Sequence, residues 1–230
     1  MTALILQARL DSVRLPGKSL LPISGRPLIF RVMEALSRIK CDAKILACPE
    51  DCAPVLVPLA EEAGFAVVVG PKDDVLARFC NAVRQTKADR IIRATGDNPF
   101  VMTDAAQTLN DETIAAGADY GLYLQIPHGS GVECVSAEAL LKAEKESKSE
   151  FEREHVCPFL YNNPSIYRLY RPDAPSKWRG AELNVTVDTL EDYNRAQKLY
   201  DALSVVPEGE RHNGETIIAH CRKINGEQDG

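Results

Sequence analysis

The sequence contains no apolar run approaching ~18 residues, so no membrane-spanning helix is expected. It also lacks a basic excess. Lys and Arg number 27 against 33 Asp and Glu, a net charge of −6, with an isoelectric point near 5.3. That balance argues against a dedicated nucleic-acid binder, because neutralising phosphates rewards a basic face. Paired cysteines are missing too: Cys41, Cys48, Cys52, Cys80, Cys134, Cys157 and Cys221 are odd in number and lack the close pairing of zinc sites. They read as small buried hydrophobes of a cytoplasmic, reducing compartment. The first residues, Met1 to Arg9, hold a short apolar stretch without a basic leader, so no secretory signal is expected. Neither an internal repeat nor a low-complexity linker is present.

What is present is an alternation. Ala3 to Ala8 reads as a buried strand, followed by a loop from Arg9 to Pro22. Gly25-Arg26-Pro27 opens a helix, with Leu28, Ile29, Val32, Met33, Leu36 and Ile39 at helical spacing. Strands are expected at Lys44 to Cys48, Ala66 to Val69 and Arg90 to Thr95, and a helix at Pro54 to Ala63. Asp73 or Asp74 caps a further helix that buries Val75, Leu76, Phe79 and Val83. Strand and helix thus alternate four times before residue 96. That pattern predicts an α/β fold, a mostly parallel sheet with helices on both faces.

Beyond Pro99 the rhythm loosens. Helices are expected at Asp104 to Ala116, Ala137 to Ser147, Glu152 to Tyr161 and Leu190 to Leu203. Strands are expected at Tyr120 to Leu124, Val132 to Val135 and Leu183 to Val187. The chain is therefore treated as one domain over residues 1–224, with halves at 1–100 and 101–224 and a disordered tail at 225–230.

In open α/β sheets, ligands bind beyond the carboxyl ends of the strands. The loop after the first strand, Gln7-Ala-Arg-Leu-Asp-Ser-Val-Arg-Leu-Pro-Gly-Lys18, places Arg9, Arg14 and Lys18 together in an acidic protein. Three cations beside a glycine turn suit a polyphosphate, since Arg grips bidentately and Lys adds a compact charge. Ser12 to Ser19 nearly spells a P-loop, but its first glycine is missing and Pro16 removes a backbone N–H. Asp97 and Asp188 each stand directly after an expected apolar strand. Gly-Asp-Asn-Pro is also turn chemistry, and Asp188 also stands where a helix cap would, so both readings remain open for these two.

The run Gln7-Ala-Arg-x-x-Ser-x-Arg-Leu-Pro-Gly-Lys18, with Pro27-Leu28, resembles the cytidylyltransferases of the spore-coat-polysaccharide-biosynthesis type. These are relatives of the synthetases that make CMP-sialic acid and CMP-3-deoxy-manno-octulosonate. Matching blocks follow in order at Asp73 to Arg78, Ile92 to Pro99, Ala118 to Tyr120, Arg153 to Val156 and Val187 to Asp192. The resemblance implies a Rossmann-like nucleotidyltransferase fold, CTP as donor, Mg²⁺ as cofactor and a homodimer. It further implies nucleotide contacts from Leu6, Gln7, Ala8, Arg9, Arg14, Lys18, Asp74, Arg78, Thr95 and Gly96, with catalytic roles for Arg14, Lys18, Asp97 and Asp188. It makes Asp97 and Asp188 the Mg²⁺ ligands, and Mg²⁺ needs only one or two carboxylates when phosphates supply the other oxygens.

The acceptor is expected in the second half, on His128, Glu133, Arg153 and His155, although His155 alone reads equally as a buried, hydrogen-bonded histidine. The family commonly shows Asp-Gly-Leu-Asp-Val-Glu where this chain has His128-Gly-Ser-Gly-Val-Glu133. Two acidic positions are thus His128 and Gly131. The acceptor is expected to be a sugar, sugar acid or phosphonate, and that loss predicts either an anionic one held by His128 and Arg153 or simply a different sugar. Two alternatives accompany the cytidylyltransferase reading: activation of a sugar 1-phosphate with another base, and a nucleotide-sensing homologue without catalysis. Trp178 reads as a packing residue.

Overall fold

The computed structural model describes residues 1–226. Its first half holds β1 (Thr2–Gln7), the hairpin strands β2 (Pro22–Ile23) and β3 (Arg26–Pro27), α1 (Leu28–Leu36), β4 (Ala43–Pro49), α2 (Ala53–Glu62), β5 (Ala66–Gly70), α3 (Val75–Thr86) and β6 (Arg90–Thr95). There follow α4 (Thr103–Ala115), β7 (Tyr120–Gly121), β8 (Glu133–Ser136), α5 (Ala137–Glu146), α6 (Glu150–His155), α7 (Pro158–Tyr161), β9 (Leu169–Tyr170), α8 (Leu190–Ser204) and α9 (Gly214–Gly226).

Seven strands form one sheet in the order β5-β4-β1-β6-β8-β7-β9. The first four are mutually parallel, while β8 runs antiparallel to both β6 and β7. Side chains alternate across β1 as strand geometry requires. Leu4 and Leu6 enter a core with α1, α2, α4, α8 and α9. Ala3 and Ile5 enter a second core with α3, α5 and α7. Both faces are covered, which is why β1 reads as a continuous apolar run. The seven cysteines are free, six of them buried. Burial pushes the Cys48 thiol up to about 11 and that of Cys80 to about 12. Such thiols are inert packing groups.

Several second-half elements differ from expectation, each for a local reason. Leu183, Val185, Thr186 and Val187 are buried, but the segment joins no ladder. Its backbone bonds instead to irregular chain, His128 N to Leu183 O at 2.9 Å and Val185 N to His128 O at 2.8 Å, leaving one isolated bridge at Asn184. Only Tyr120 and Gly121 of the strand expected to reach Leu124 lie in the sheet. The helix expected over Glu152 to Tyr161 breaks at Val156, whose φ of 74° and ψ of −58° form a γ-turn closed by Cys157 N to His155 O at 2.9 Å. That backbone region is strained for a β-branched residue. α9 was not expected, and Asn225 and Gly226 finish it rather than opening a disordered tail. The rest of that tail lies outside the described residues.

Candidate active site

The carboxyl ends of β1 and β6 bound a cleft of about 360 Å³. The loop leaving β1 is shaped by its own backbone. Gly17, at φ 68°, turns the chain into a short 3-10 segment starting at Lys18, and the buried Ser19 hydroxyl donates to Arg9 O at 2.9 Å. The turn after β6 needs Gly96, because a Cβ there would stand 2.9 Å from Gln7 O. Gly96 N donates to the same oxygen at 2.9 Å, holding the two strand ends together.

Four side chains converge at this edge. Lys18, its side chain only 13% exposed, places Nζ 2.8 Å from Asp188 Oδ1, 3.3 Å from Asp97 Oδ2 and 2.8 Å from Val187 O. Arg14 reaches the other Asp188 oxygen at 3.0 Å and is otherwise largely exposed. Val187 N donates to Asp97 O at 2.9 Å, so both aspartate-bearing segments are tied by backbone as well. Asp188 is not the cap of α8: Thr189 fills that place in a capping box with Asp192. Asp188 therefore keeps its carboxylate for the cleft.

Among the expected nucleotide contacts, Gln7, Ala8, Arg9, Arg14, Lys18, Arg78, Thr95 and Gly96 line this cleft. Leu6 lies beneath it, fully buried in the core. Asp74 is instead the cap of α3, accepting from Ala77 N at 2.9 Å, and binds Arg153 at 2.5 and 2.7 Å. Arg78 is buried and donates to Pro71 O and Lys72 O. Burial lowers the pKa of its guanidinium from the usual value.

A second cleft, of about 340 Å³, adjoins the first and shares Arg93 and Thr95 with it. His128 and Glu133 line it, with Asn98, Leu122, Tyr123 and Ile126. Arg153 lines neither cleft. Besides Asp74 it donates to Glu144 O and Ser147 O, pinning α6 to the neighbouring helices. His155 is exposed rather than buried and lies in the first cleft, its ring 4.4 Å from that of Phe151. Of the two cations expected at the acceptor, only His128 is in place. The expectation of an anionic acceptor loses half its support.

Arg93 was missed in the sequence, although an arginine inside the apolar run Arg90 to Thr95 was a visible signal. Its guanidinium bonds Glu133 on one side and Gln7 Oε1 on the other, at 2.9 Å. Tyr120 donates to the second Glu133 oxygen at 2.6 Å. Burial, the largest influence on Arg93, would lower its pKa, but the charge and hydrogen bond of Glu133 together with Cys157 and Tyr120 outweigh it and the value is raised. Burial, then Glu133, drives the Tyr120 phenol well above its ordinary value, so it stays a donor.

The donor set fits a hard divalent cation. Two carboxylates face one point, and the ammonium seated between them marks that point as favourable to positive charge. No group of three or more metal-binding side chains exists among the described residues. A cation held here must therefore take further oxygens from substrate phosphate or water.

A parallel sheet with cations and two carboxylates at its carboxyl edge defines a class, the nucleotidyltransferases of Rossmann-like fold. The model of one family, described as cytidylyltransferase, matches residues 3–216. The chain belongs to the cytidylyltransferase family, and it is a nucleotidyltransferase. It is 31% identical over 211 residues to the spore coat polysaccharide biosynthesis protein SpsF of Bacillus subtilis, covering 89% of this chain and 88% of that one. A cytidylyltransferase from Leptospira borgpetersenii superposes with a TM-score of 0.86 at 22% identity, covering 98% and 95% of the two chains. A CMP:2-keto-3-deoxy-manno-octonic acid synthetase solved with CTP superposes at 0.65 and 17% identity, over 87% and 98%. Among the described residues no helix is long and apolar enough to cross a membrane.

Proposed function

We propose that this enzyme transfers CMP from CTP to a sugar-type acceptor and releases pyrophosphate. The observation that carries this reading is the convergence of Lys18 and Arg14 on Asp97 and Asp188 at the mouth of the first cleft. An acceptor hydroxyl oxygen attacks the α-phosphorus and releases its proton to solvent, the new O–P bond forms, and the bond to the β-phosphate breaks with pyrophosphate leaving. Such transfers are driven by positioning and by neutralising charge on the phosphoryl oxygens. Arg14 and Lys18 hold the β- and γ-phosphates, and half-exposed Arg9 flanks them. Asp97 and Asp188 would hold a Mg²⁺ ion, which would supply charge neutralisation on the phosphate oxygens. Lys18, now paired with both carboxylates, carries the positive charge that a phosphate would meet at this edge.

The acceptor occupies the second cleft. Glu133 neutralises Arg93 there, and Arg153 is tied elsewhere. Hydroxyl recognition by Thr95, Asn98 and His128 suits this lining better than capture of a carboxylate. The test is pyrophosphate release with Mg²⁺, each of CTP, UTP, ATP and GTP, and a panel of neutral sugars, sugar acids, phosphonates and sugar 1-phosphates. Release with CTP and a sugar supports the reading. Release only with another triphosphate, or binding of CTP without turnover on any acceptor, would overturn it.

A further inference from the structure

Gln7 is the one amide among the described residues lining the first cleft. An amide can turn either its oxygen or its NH₂ toward a ligand, and which it turns decides what it reads. Here the orientation is set. Arg93 can only donate, so the Gln7 atom 2.9 Å from its guanidinium is the oxygen. Arg93 in turn is held by Glu133, and Glu133 by Tyr120, in a chain crossing the floor between the two clefts. The Gln7 NH₂ has no protein partner among the described residues and is left for the cleft.

The cluster of Arg14, Lys18, Asp97 and Asp188 suits phosphate and cation. The guanidinium groups of Arg78 and Arg93 are already held by protein oxygens. Beside them Val75 offers an apolar surface for a base, and Gln7 offers two donors. Cytosine presents two acceptors side by side, ring N3 and O2. Uracil presents a donor, N3–H, where cytosine has N3. A fixed NH₂ accepts the first pattern and meets the second donor against donor.

We infer that Gln7 selects cytosine over uracil, with Arg93 as the positioning residue that holds its amide. This rests on the reading of the nucleotide as CTP and names the side chain that enforces it. A mismatched donor in a partly closed site costs roughly 5- to 150-fold in affinity.

The test is calorimetric binding of CTP and UTP with Mg²⁺, which needs no acceptor. Wild type is expected to bind CTP more tightly by that factor. Gln7→Leu should bring the two affinities within about threefold of each other. Gln7→Glu keeps the contact to Arg93 but turns an acceptor to the base, and should shift preference to UTP. Arg93→Met frees the amide to rotate and should lower the same ratio. A structural role alone would weaken both nucleotides equally and leave the ratio unmoved. A wild-type preference that survives in both Gln7 variants would overturn the inference and leave the CTP reading standing. Failure of wild type to bind either triphosphate would overturn that reading, and the inference with it.

Discussion

The two clefts that meet at Arg93 are built in different ways. The first stands at the ends of parallel strands, and most of its polar side chains come from β1 and β6 themselves or from the loop and turn that follow them. The second is lined by the end of β6, the start of β8 and irregular chain from Leu122 to Val132. In the first, charged groups from different segments pair directly with one another at the edge of the cleft. In the second half, the charged groups expected to serve a ligand serve the fold: Arg153 anchors α6 to the cap of α3, and Glu133 neutralises Arg93. Arg14, Lys18, Asp97 and Asp188 gather at one edge of the cleft, whereas Arg153 and Glu133 are claimed by neighbours that hold the fold together.

The largest effects should follow changes at the strand ends. With an acceptor identified in the pyrophosphate assay, Asp97→Asn and Asp188→Asn should each lower turnover by about 10²- to 10³-fold, with melting temperatures within a few degrees of wild type. Substantial activity in either variant removes that aspartate from the chemistry. Lys18→Ala should weaken CTP binding roughly 10- to 150-fold and CMP binding far less. Arg14→Ala should act in the same direction but more weakly, because its side chain is 66% exposed. Equal losses for CTP and CMP would place these cations away from the β- and γ-phosphates.

Arg153→Met should separate the two halves. It removes contacts to Asp74 and to two carbonyls, so a loss of about 2 kcal/mol is expected, a fall of about 4–8 °C in melting temperature. The KM for the acceptor should change little. A normal melting temperature with a raised acceptor KM would restore Arg153 to the acceptor site.

The smallest effect near neutral pH belongs to His212, buried before α9, its Nδ1 without a partner and its carbonyl holding Thr103. Burial, with Arg38 nearby, lowers its pKa to about 4 from 6.5. The unfolded chain therefore binds the proton more readily, and stability falls as pH drops through 6.5 toward 4. The loss should reach about 2 kcal/mol by pH 5. His212→Gln should flatten that part of the profile of melting temperature against pH. An unchanged slope would assign the titration to other groups.

The same contrast governs what was legible in the sequence. Strands β1, β4, β5 and β6 and helices α1 to α3 were readable as apolar runs or helical apolar stripes, and Arg14, Lys18, Asp97 and Asp188 because they follow apolar runs or lie within the first loop. β7 was expected from Tyr120 but stops at Gly121 rather than Leu124, and β9, two residues long, leaves no periodic trace. The break at Val156 arises from a positive φ at a residue type that gives no turn signal, and the ties of Leu183 to Val187 lie with chain far away in sequence. α9 was not expected, although Ile217, Ile218, Cys221 and Ile224 form an apolar stripe at helical spacing. The partners of Arg153 and Arg93 belong to tertiary packing, which no local spacing records.

One titration bears on all of this: Mn²⁺ binding, followed by electron paramagnetic resonance, to wild type, Asp97→Asn and Asp188→Asn with CTP present and acceptor absent. Wild type should bind Mn²⁺ with CTP, and each variant should bind it at least about tenfold more weakly, consistent with loss of one hard anionic ligand. If both variants take up Mn²⁺ with CTP as wild type does, the two aspartates do not hold the cation, and the reading of the first cleft fails.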